Sequence, residues 1–396
     1  MRSPMGERTD FEMEMERIDR DISELEARAL TPPVESQRAM KFVYRLYQRA
    51  SLSGNLDELQ VAGAAIESAI LQIGPAPDLY FLKANLDFKL HRIADARRDL
   101  ETVPSLLDSY QGKALRADLD LQEGKYEAAW EGYESVIRDA PTWDNLARLA
   151  YLKARMGDTA GADRLYFEAE DELTAKEMRS FAWVELQRGL LDLRHGRYED
   201  ARAHYRRADQ AYSGYWLVEE HMAELSGAQG KFDEAVALYE KVIAGLPRPE
   251  FQQALGELYV FMGRPEQARL WHEKALAAYV ESVERGDVHY YHHLADFYAD
   301  VRRDGAEAVK WARKDAEMRE NFSTLAALAW ALHRDGRFSE AQETMARALS
   351  SGVRDAHLFF QAGMICLSAG AEGEGKQYLE MAEEINPHHR GFHTHR

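Results

Sequence analysis

The stretch FSTLAALAWALHRDGRFSEAQETMARALS, residues 322–350, contains the unit from which the chain is built. The apolar residues of its first half recur at the spacings of one helix face: Leu325, Leu328, Ala329 and Leu332. A second apolar stripe runs through residues 338–348, and Gly336 between them suits the left-handed residue that ends a helix. Two short amphipathic helices joined by a tight turn cannot bury both stripes alone. The pattern therefore predicts a stack of copies.

Glycines recur along the chain at the period expected of such hairpins. Aligned on the turn, they are Gly124, Gly157, Gly196, Gly230, Gly263, Gly336 and Gly370. A further copy at residues 289–318 fills the longest gap, and Gly305 is its predicted turn residue. A small residue follows each turn: Ala129, Ala162, Ala201, Ala235, Ala268, Ala308 and Ala341. Most copies have a large side chain four residues later, which would fill the space beside a close helix crossing.

This arrangement resembles the tetratricopeptide repeat, in which a turn glycine is followed by Ala-x-x-x-aromatic-x-x-Ala. Weaker copies at 41–75 and 77–104 and a last copy at 357–387 bring the total to about ten helix pairs. The resemblance implies an all-α fold, namely a right-handed superhelical α-solenoid of about ten TPR-like helix-turn-helix repeats. It also implies that the first helices form a concave face that holds peptides or partner proteins.

The chain is predicted to have three segments. Residues 38–387 form a single array without a low-complexity linker. Residues 1–37 form a polar segment and a capping helix, which Pro32 and Pro33 end; a dimer contact is the alternative role of this helix. The His-rich C-terminal tail, residues 388–396, has no apolar periodicity and is expected to lie on the surface or fold back over the last repeat.

Composition excludes several classes of function. A formal net charge of −18 over 396 residues disfavours binding to nucleic acid or to an anionic membrane surface. No apolar run reaches the length of a spanning helix, and the N-terminus lacks the apolar core of a signal peptide, so a cytoplasmic location is expected. The single cysteine, Cys366, lies on an apolar helix face and is expected to be buried.

The predicted groove residues stand near the second, fifth and ninth positions of successive first helices. They change from apolar through acidic to histidine-bearing: Trp183, Leu186, Leu190, Leu217, Glu220, Glu224, Glu250, Gln253, Glu257, His289, His292, Asp296 and Trp330. An acidic groove favours a partner segment with basic and apolar side chains, and Trp183 and Trp330 could anchor it. Glutamates on a merely solvated face are the alternative. The Lys, Arg and Asn residues of the family's carboxylate clamp are missing, which disfavours a chaperone-tail adaptor.

The sequence thus favours a protein–protein interaction scaffold or adaptor, acting on another protein or peptide segment. No phosphate loop, dinucleotide fingerprint or nucleophile elbow is present, so neither enzyme activity nor a cofactor is predicted. The alternative is a metal-binding or metal-handling accessory protein that uses His289, His292, His293 and Asp296, since pairs of these residues have i, i+4 spacing. Histidines that merely pack are a third explanation of that cluster. Self-association through the ends of the array is a further possibility for partners.

Overall fold

The computed structural model describes residues 8–30 and 34–394, and within them all regular structure is helical. A first helix, α1 (Asp10–Ala29), precedes ten helical hairpins, and a short helix, α6 (Pro104–Asp108), lies between the second and third. The hairpins are α2 (Ser36–Ser53) with α3 (Leu56–Ile73), α4 (Pro77–Lys89) with α5 (Ile93–Thr102), α7 (Tyr110–Gln122) with α8 (Tyr126–Asp139), α9 (Trp143–Arg155) with α10 (Thr159–Asp171), α11 (Met178–Arg194) with α12 (Tyr198–Ala211), α13 (Trp216–Ala228) with α14 (Phe232–Gly245), α15 (Pro249–Phe261) with α16 (Pro265–Glu284), α17 (Tyr291–Asp296) with α18 (Gly305–Met318), α19 (Phe322–Arg334) with α20 (Phe338–Leu349), and α21 (Ala356–Ser368) with α22 (Glu372–Ile385). The predicted all-α solenoid of about ten helix pairs is confirmed.

The seven predicted turn glycines all have a left-handed backbone, with φ between 69° and 88°. Such φ values strain any residue that carries a Cβ, which explains why glycine recurs there. The prediction for Gly305 is wrong. The left-handed residue of that hairpin is Arg303, because α17 continues as a π-helical segment, Phe297–Arg302, and ends beyond it. Gly305 instead begins α18 at a close approach, where an added Cβ would lie 2.5 Å from the Asp335 Cα.

Each hairpin is held by the close crossing predicted from its alanine. The seven alanines after the turns are at most 3% exposed. The large residue that follows packs into the first helix of its own hairpin: at Gly189 an added Cβ would lie 2.3 Å from Cε1 of Tyr205. Cys366 is buried as predicted. The core is therefore a continuous series of such crossings along the array.

Successive turns of the superhelix are in contact, because hairpins near the N-terminus each contact the hairpin six places later. We call this contact between turns the closure. His91, in the turn of the second hairpin, stacks on His289 at the start of the eighth, with ring centroids 4.5 Å apart. The Gln122 carbonyl in the third accepts a hydrogen bond from Asn321 in the ninth at 3.1 Å. The Arg155 carbonyl in the fourth accepts one from the Arg354 amide, just before the tenth, at 2.8 Å. Six hairpins thus complete one superhelical turn, and successive turns touch.

Helix α1 lies between the two superhelical turns. It packs along α2, and its N-terminal residues reach the connection between α12 and α13, where the Ser213 amide and hydroxyl both donate to the Asp10 carboxylate. Tyr212 donates to Glu14 at 2.7 Å. Pro32 and Pro33 lie outside the described residues, and the capping role of this helix stays a prediction. Among the described helices, none has the length and apolar character needed to cross a membrane.

Candidate functional site: a cavity on the concave face

The first helices of the later hairpins face a common cavity of about 560 Å³. Ten of the thirteen predicted groove residues line it: Leu190, Leu217, Glu220, Glu224, Glu250, Gln253, Glu257, His289, His292 and Asp296. His293 lines it as well. The closure of the superhelix adds side chains from the N-terminal half, so the concave face is an inner chamber rather than an open groove.

Three predicted groove residues lie elsewhere. Leu186 is fully buried in the hairpin core with Tyr205. The ring of Trp183 packs edge-on against Trp143 at 5.9 Å between centroids. Trp330 donates its indole N–H to Asp300 at 3.1 Å, in the neighbouring hairpin. Neither tryptophan borders the cavity, so the predicted aromatic anchors do not meet the acidic residues they were paired with.

The cavity also has a cationic side, which is not among the predicted groove residues. Arg155 and Arg194 end their first helices, beyond the positions used for the prediction, and Arg319 precedes α19. Arg155 pairs with Asp355 at 3.1 Å, a contact between superhelical turns. Arg194 has no ion-pair partner among residues 8–30 and 34–394. No local sequence signal marks these residues, because their common location depends on the closure.

Glu250 is held as an ion inside the wall. Burial alone would raise the pKa of this carboxyl, but the Arg248 guanidinium beside it lowers the pKa to about 2. Arg248 is itself placed over the rings of Trp216 and Phe251, at 5.3 Å and 5.2 Å from their centroids. The charge of Glu250 is therefore satisfied within the chain, and a partner gains little from it.

The other predicted acidic residues differ in accessibility. Glu220 and Glu224 are 1% and 2% exposed, and the Nδ1 atom of His221 lies 3.1 Å from Glu220. Glu257 is only half-buried and accepts a hydrogen bond from Gln253 at 2.9 Å. Of these three glutamates, Glu257 is thus the best placed to meet an incoming cation.

The histidine cluster is engaged in packing and in a local ion pair. His289 stacks on His91, and His293 stacks on Tyr279 at 5.7 Å between centroids. His292 lies 3.3 Å from carboxylate oxygens of both Asp296 and Asp315. In the part of the chain that the structure describes, no three His, Cys, Asp or Glu side chains are arranged to hold a metal ion. The metal-handling alternative thus has no supporting site there.

These histidines predict a pH dependence of stability. Burial lowers the pKa of His289 to about 4 and that of His293 to about 3. In the unfolded chain both would titrate near 6.5, so below that pH the unfolded state binds protons that the folded state does not. We expect the free energy of unfolding, measured by urea denaturation, to fall as the pH decreases from about 6.5 to 4.

A matched variant isolates this effect. In His289→Gln the dependence should be shallower, since the amide does not titrate. His292 acts in the opposite direction, because Asp296 and Asp315 raise its pKa despite burial. Identical pH profiles for the wild type and His289→Gln would contradict the assignment to His289.

The C-terminal tail also borders the cavity. The chain leaves α22 at Asn386 and first contacts the tenth hairpin, where His389 lies against Phe360 with centroids 5.6 Å apart. It then reaches the fifth, sixth and seventh hairpins. His389, His393 and Thr394 form part of the cavity wall, whereas residues 395–396 lie outside the described residues. The tail thus contributes part of the chamber wall.

Comparisons with known proteins agree with the repeat architecture. A profile of the tetratricopeptide repeat matches residues 324–356. Solved structures with similarity include MamA, 19% identical over 42% of this chain and 96% of that one, with a TM-score of 0.34. A tetratricopeptide repeat protein from Parabacteroides merdae ATCC 43184 is 18% identical over 61% of this chain and 93% of that one, with a TM-score of 0.37. The Cut9–Hcn1 hetero-tetramer of APC/C gives 14% identity over 94% and 79%, with a TM-score of 0.45.

All three TM-scores are below 0.5. No curated protein sequence matches the chain. The profile covers the hairpin with the most regular pattern, and the described part of the chain contains nine further helical hairpins. The chain thus contains a tetratricopeptide repeat at residues 324–356, set in an all-α array of helical hairpins.

Proposed function

We propose that this chain is a non-catalytic interaction scaffold that binds a short segment of a partner protein on its concave face. The observation that carries the proposal is the cavity itself, to which the first helices of consecutive hairpins contribute side chains. Its volume of about 560 Å³ falls within the ~300–1,000 Å³ typical of ligand pockets. A few side chains of a partner segment would fit, not a whole domain.

The lining favours a segment that carries both basic and apolar side chains. Leu190 and Leu217 offer apolar contact, and Glu257 offers a carboxylate that solvent still reaches. Apolar contacts would supply most of the affinity, and the carboxylate would orient the segment and select its charge. The buried pair of Arg248 and Glu250 would stiffen the wall without contributing directly.

Reversing the charge of Glu257 tests this proposal. Peptides are first selected from a random library on the whole wild-type chain, and they should be enriched in basic and aromatic residues. Calorimetry should then show that Glu257→Lys weakens the selected peptides by at least about tenfold, because an attraction of about 1.4 kcal/mol or more becomes a repulsion. The affinity of the wild type should fall as salt is added, and that of the variant should not.

The control is Glu284→Lys, which makes the same charge change at an exposed residue outside the cavity. It should leave peptide affinity unchanged. If the selected peptides bind Glu257→Lys as tightly as the wild type, the proposal that they bind at the concave face is wrong. The same result at both positions would indicate a dependence on net charge alone.

A further inference from the structure

Beyond α22, the chain places one aromatic side chain in a fitted socket. Phe392 is 2% exposed, and its ring meets the edges of Tyr239 and Phe261 at centroid distances of 6.4 Å and 5.6 Å. The floor of the socket is Gly227, where an added Cβ would lie 2.4 Å from Cδ1 of the ring. Any other residue at position 227 would therefore exclude Phe392.

A polar contact next to the socket fixes the direction of the segment. The Thr394 amide donates to Oε1 of Glu224 at 2.9 Å, and Nδ1 of His393 lies 3.8 Å from the same oxygen. This charge-assisted bond is made to the backbone, so it does not depend on which side chain stands at position 394. Glu224 is one of the acidic residues predicted to face a basic partner.

The segment is attached in the manner of a bound peptide. Between α22 and the socket it forms only a turn, in which the Gly391 amide donates to the His388 carbonyl at 2.8 Å, and it contains no helix. His388 stacks on Tyr198 with centroids 5.0 Å apart. The sequence HHRGFHTHR is basic with a single aromatic residue, which is the chemistry proposed above for a partner.

From these contacts we infer that residues 386–394 are an internal ligand of the concave face. A partner segment must displace them, and it carries the same features: an aromatic anchor for the Gly227 socket and a basic residue near Glu224. The inference rests on the proposed function and adds its regulation, since a tethered segment competes at an effective concentration that a free peptide rarely reaches.

The test uses a fluorescent peptide with the sequence of residues 386–396 and three forms of the whole chain. In Phe392→Ala the internal anchor is gone and the socket is empty, so the peptide should bind. In the wild type the socket is occupied, and binding should be at least about tenfold weaker. In Gly227→Ala the socket is filled by a methyl group, so the peptide should not bind. A control peptide with alanine at the Phe392 position should bind none of the three.

Three results would contradict the inference. Affinities of wild type and Phe392→Ala within twofold of each other, or no binding to either, would overturn the inference. Hydrogen exchange gives a second measurement on intact chains: the Thr394 amide should exchange at least about tenfold faster in Gly227→Ala than in the wild type. Unchanged exchange would also overturn it. A wild-type mass above 45.2 kDa by light scattering, lost in Phe392→Ala, would mean that the tail docks in a second copy and would overturn internal docking.

Failure of this inference can be told apart from failure of the proposed function. If library peptides lose affinity in Glu257→Lys while the tail peptide binds wild type and Phe392→Ala alike, the face binds partners but the tail does not control it. If the tail peptide behaves as expected and library peptides ignore Glu257, the tail is an internal ligand and the partner binds elsewhere.

Discussion

Replacing Asp355 by asparagine is expected to lower the free energy of unfolding by about 2–4 kcal/mol, because it removes the charge opposite a largely buried arginine. The Arg155 side chain is 14% exposed, lies 3.1 Å from Asp355 and packs over the Phe322 ring at 4.7 Å. Breaking a fully buried pair costs about 3–5 kcal/mol, and the partial exposure here reduces that figure. Urea denaturation of the variant and the wild type measures the difference.

The substitution is chosen to change the charge alone. Asp355 is also the N-cap of α21, where its Oδ1 accepts from the amides of His357 and Leu358 at 2.9 Å and 3.0 Å. An asparagine oxygen can keep these bonds. The control is Glu320→Gln, which breaks the pair with Arg347, two side chains 59% and 55% exposed, and should cost at most about 1 kcal/mol. Equal, small losses in both variants would mean that the inter-turn pair contributes no more than a surface pair.

The ion pair of Arg155 and Asp355 also predicts a loss of stability at acidic pH. Burial would raise the pKa of Asp355, but the nearby Arg155 and Arg194 lower it to about 2. A carboxyl with a lowered pKa in the folded state stabilises it fully above the unfolded value of about 3.9, and that contribution is lost as the pH falls toward 2. This loss therefore begins at about pH 3.9, at the lower end of the range in which His289 and His293 act, and Asp355→Asn should abolish it without changing the profile between pH 6.5 and 4.

The hairpins could be predicted from sequence because each one is held together by contacts between residues that are close in the chain. Ala235 and Tyr239 lie one helical turn apart, and their spacing alone requires a close crossing. Gly305 shows where this local reasoning fails. The glycine is present near the expected place, but the π-helical segment before it moves the left-handed position to Arg303. No feature of the residue pattern indicates that this segment is π-helical rather than α-helical.

The closed chamber could not be predicted in the same way. Arg155 and Asp355 are 200 residues apart, and Gln122 and Asn321 are 199 apart, so the contacts depend on small rotations summed over six hairpins. Nearest-neighbour stacking, which repeats encode, does not determine that sum. Ten of the predicted groove residues line the cavity, because which side of the array a residue faces depends on the face of a single helix. Trp183 and Trp330 do not line it, because a half-buried ring at the edge of that face can turn toward the next hairpin instead.

Substitutions at the turn glycines can separate the stability contributed by contacts between superhelical turns from the stability of a single hairpin. Gly124 and Gly336 occupy equivalent turns with φ of 74° and 78°, so a Cβ meets the same backbone strain at each. Their surroundings differ. At Gly336 nothing lies within 4 Å of an added Cβ, whereas at Gly124 the Glu320 carbonyl oxygen of the next superhelical turn lies 2.4 Å from it.

We therefore expect Gly336→Ala to cost about 1–2 kcal/mol, the price of a left-handed alanine, and Gly124→Ala to cost about 1–3 kcal/mol more. The additional loss arises because a backbone carbonyl cannot rotate away as a side chain would, so the two turns must separate. Urea denaturation gives both values, and hydrogen exchange should show faster exchange at the start of α19 in Gly124→Ala alone. Equal losses with unchanged exchange at Asn321 and Phe322 would mean that the turns do not touch in solution. The cavity that the proposed partner enters would then be an open groove rather than a chamber.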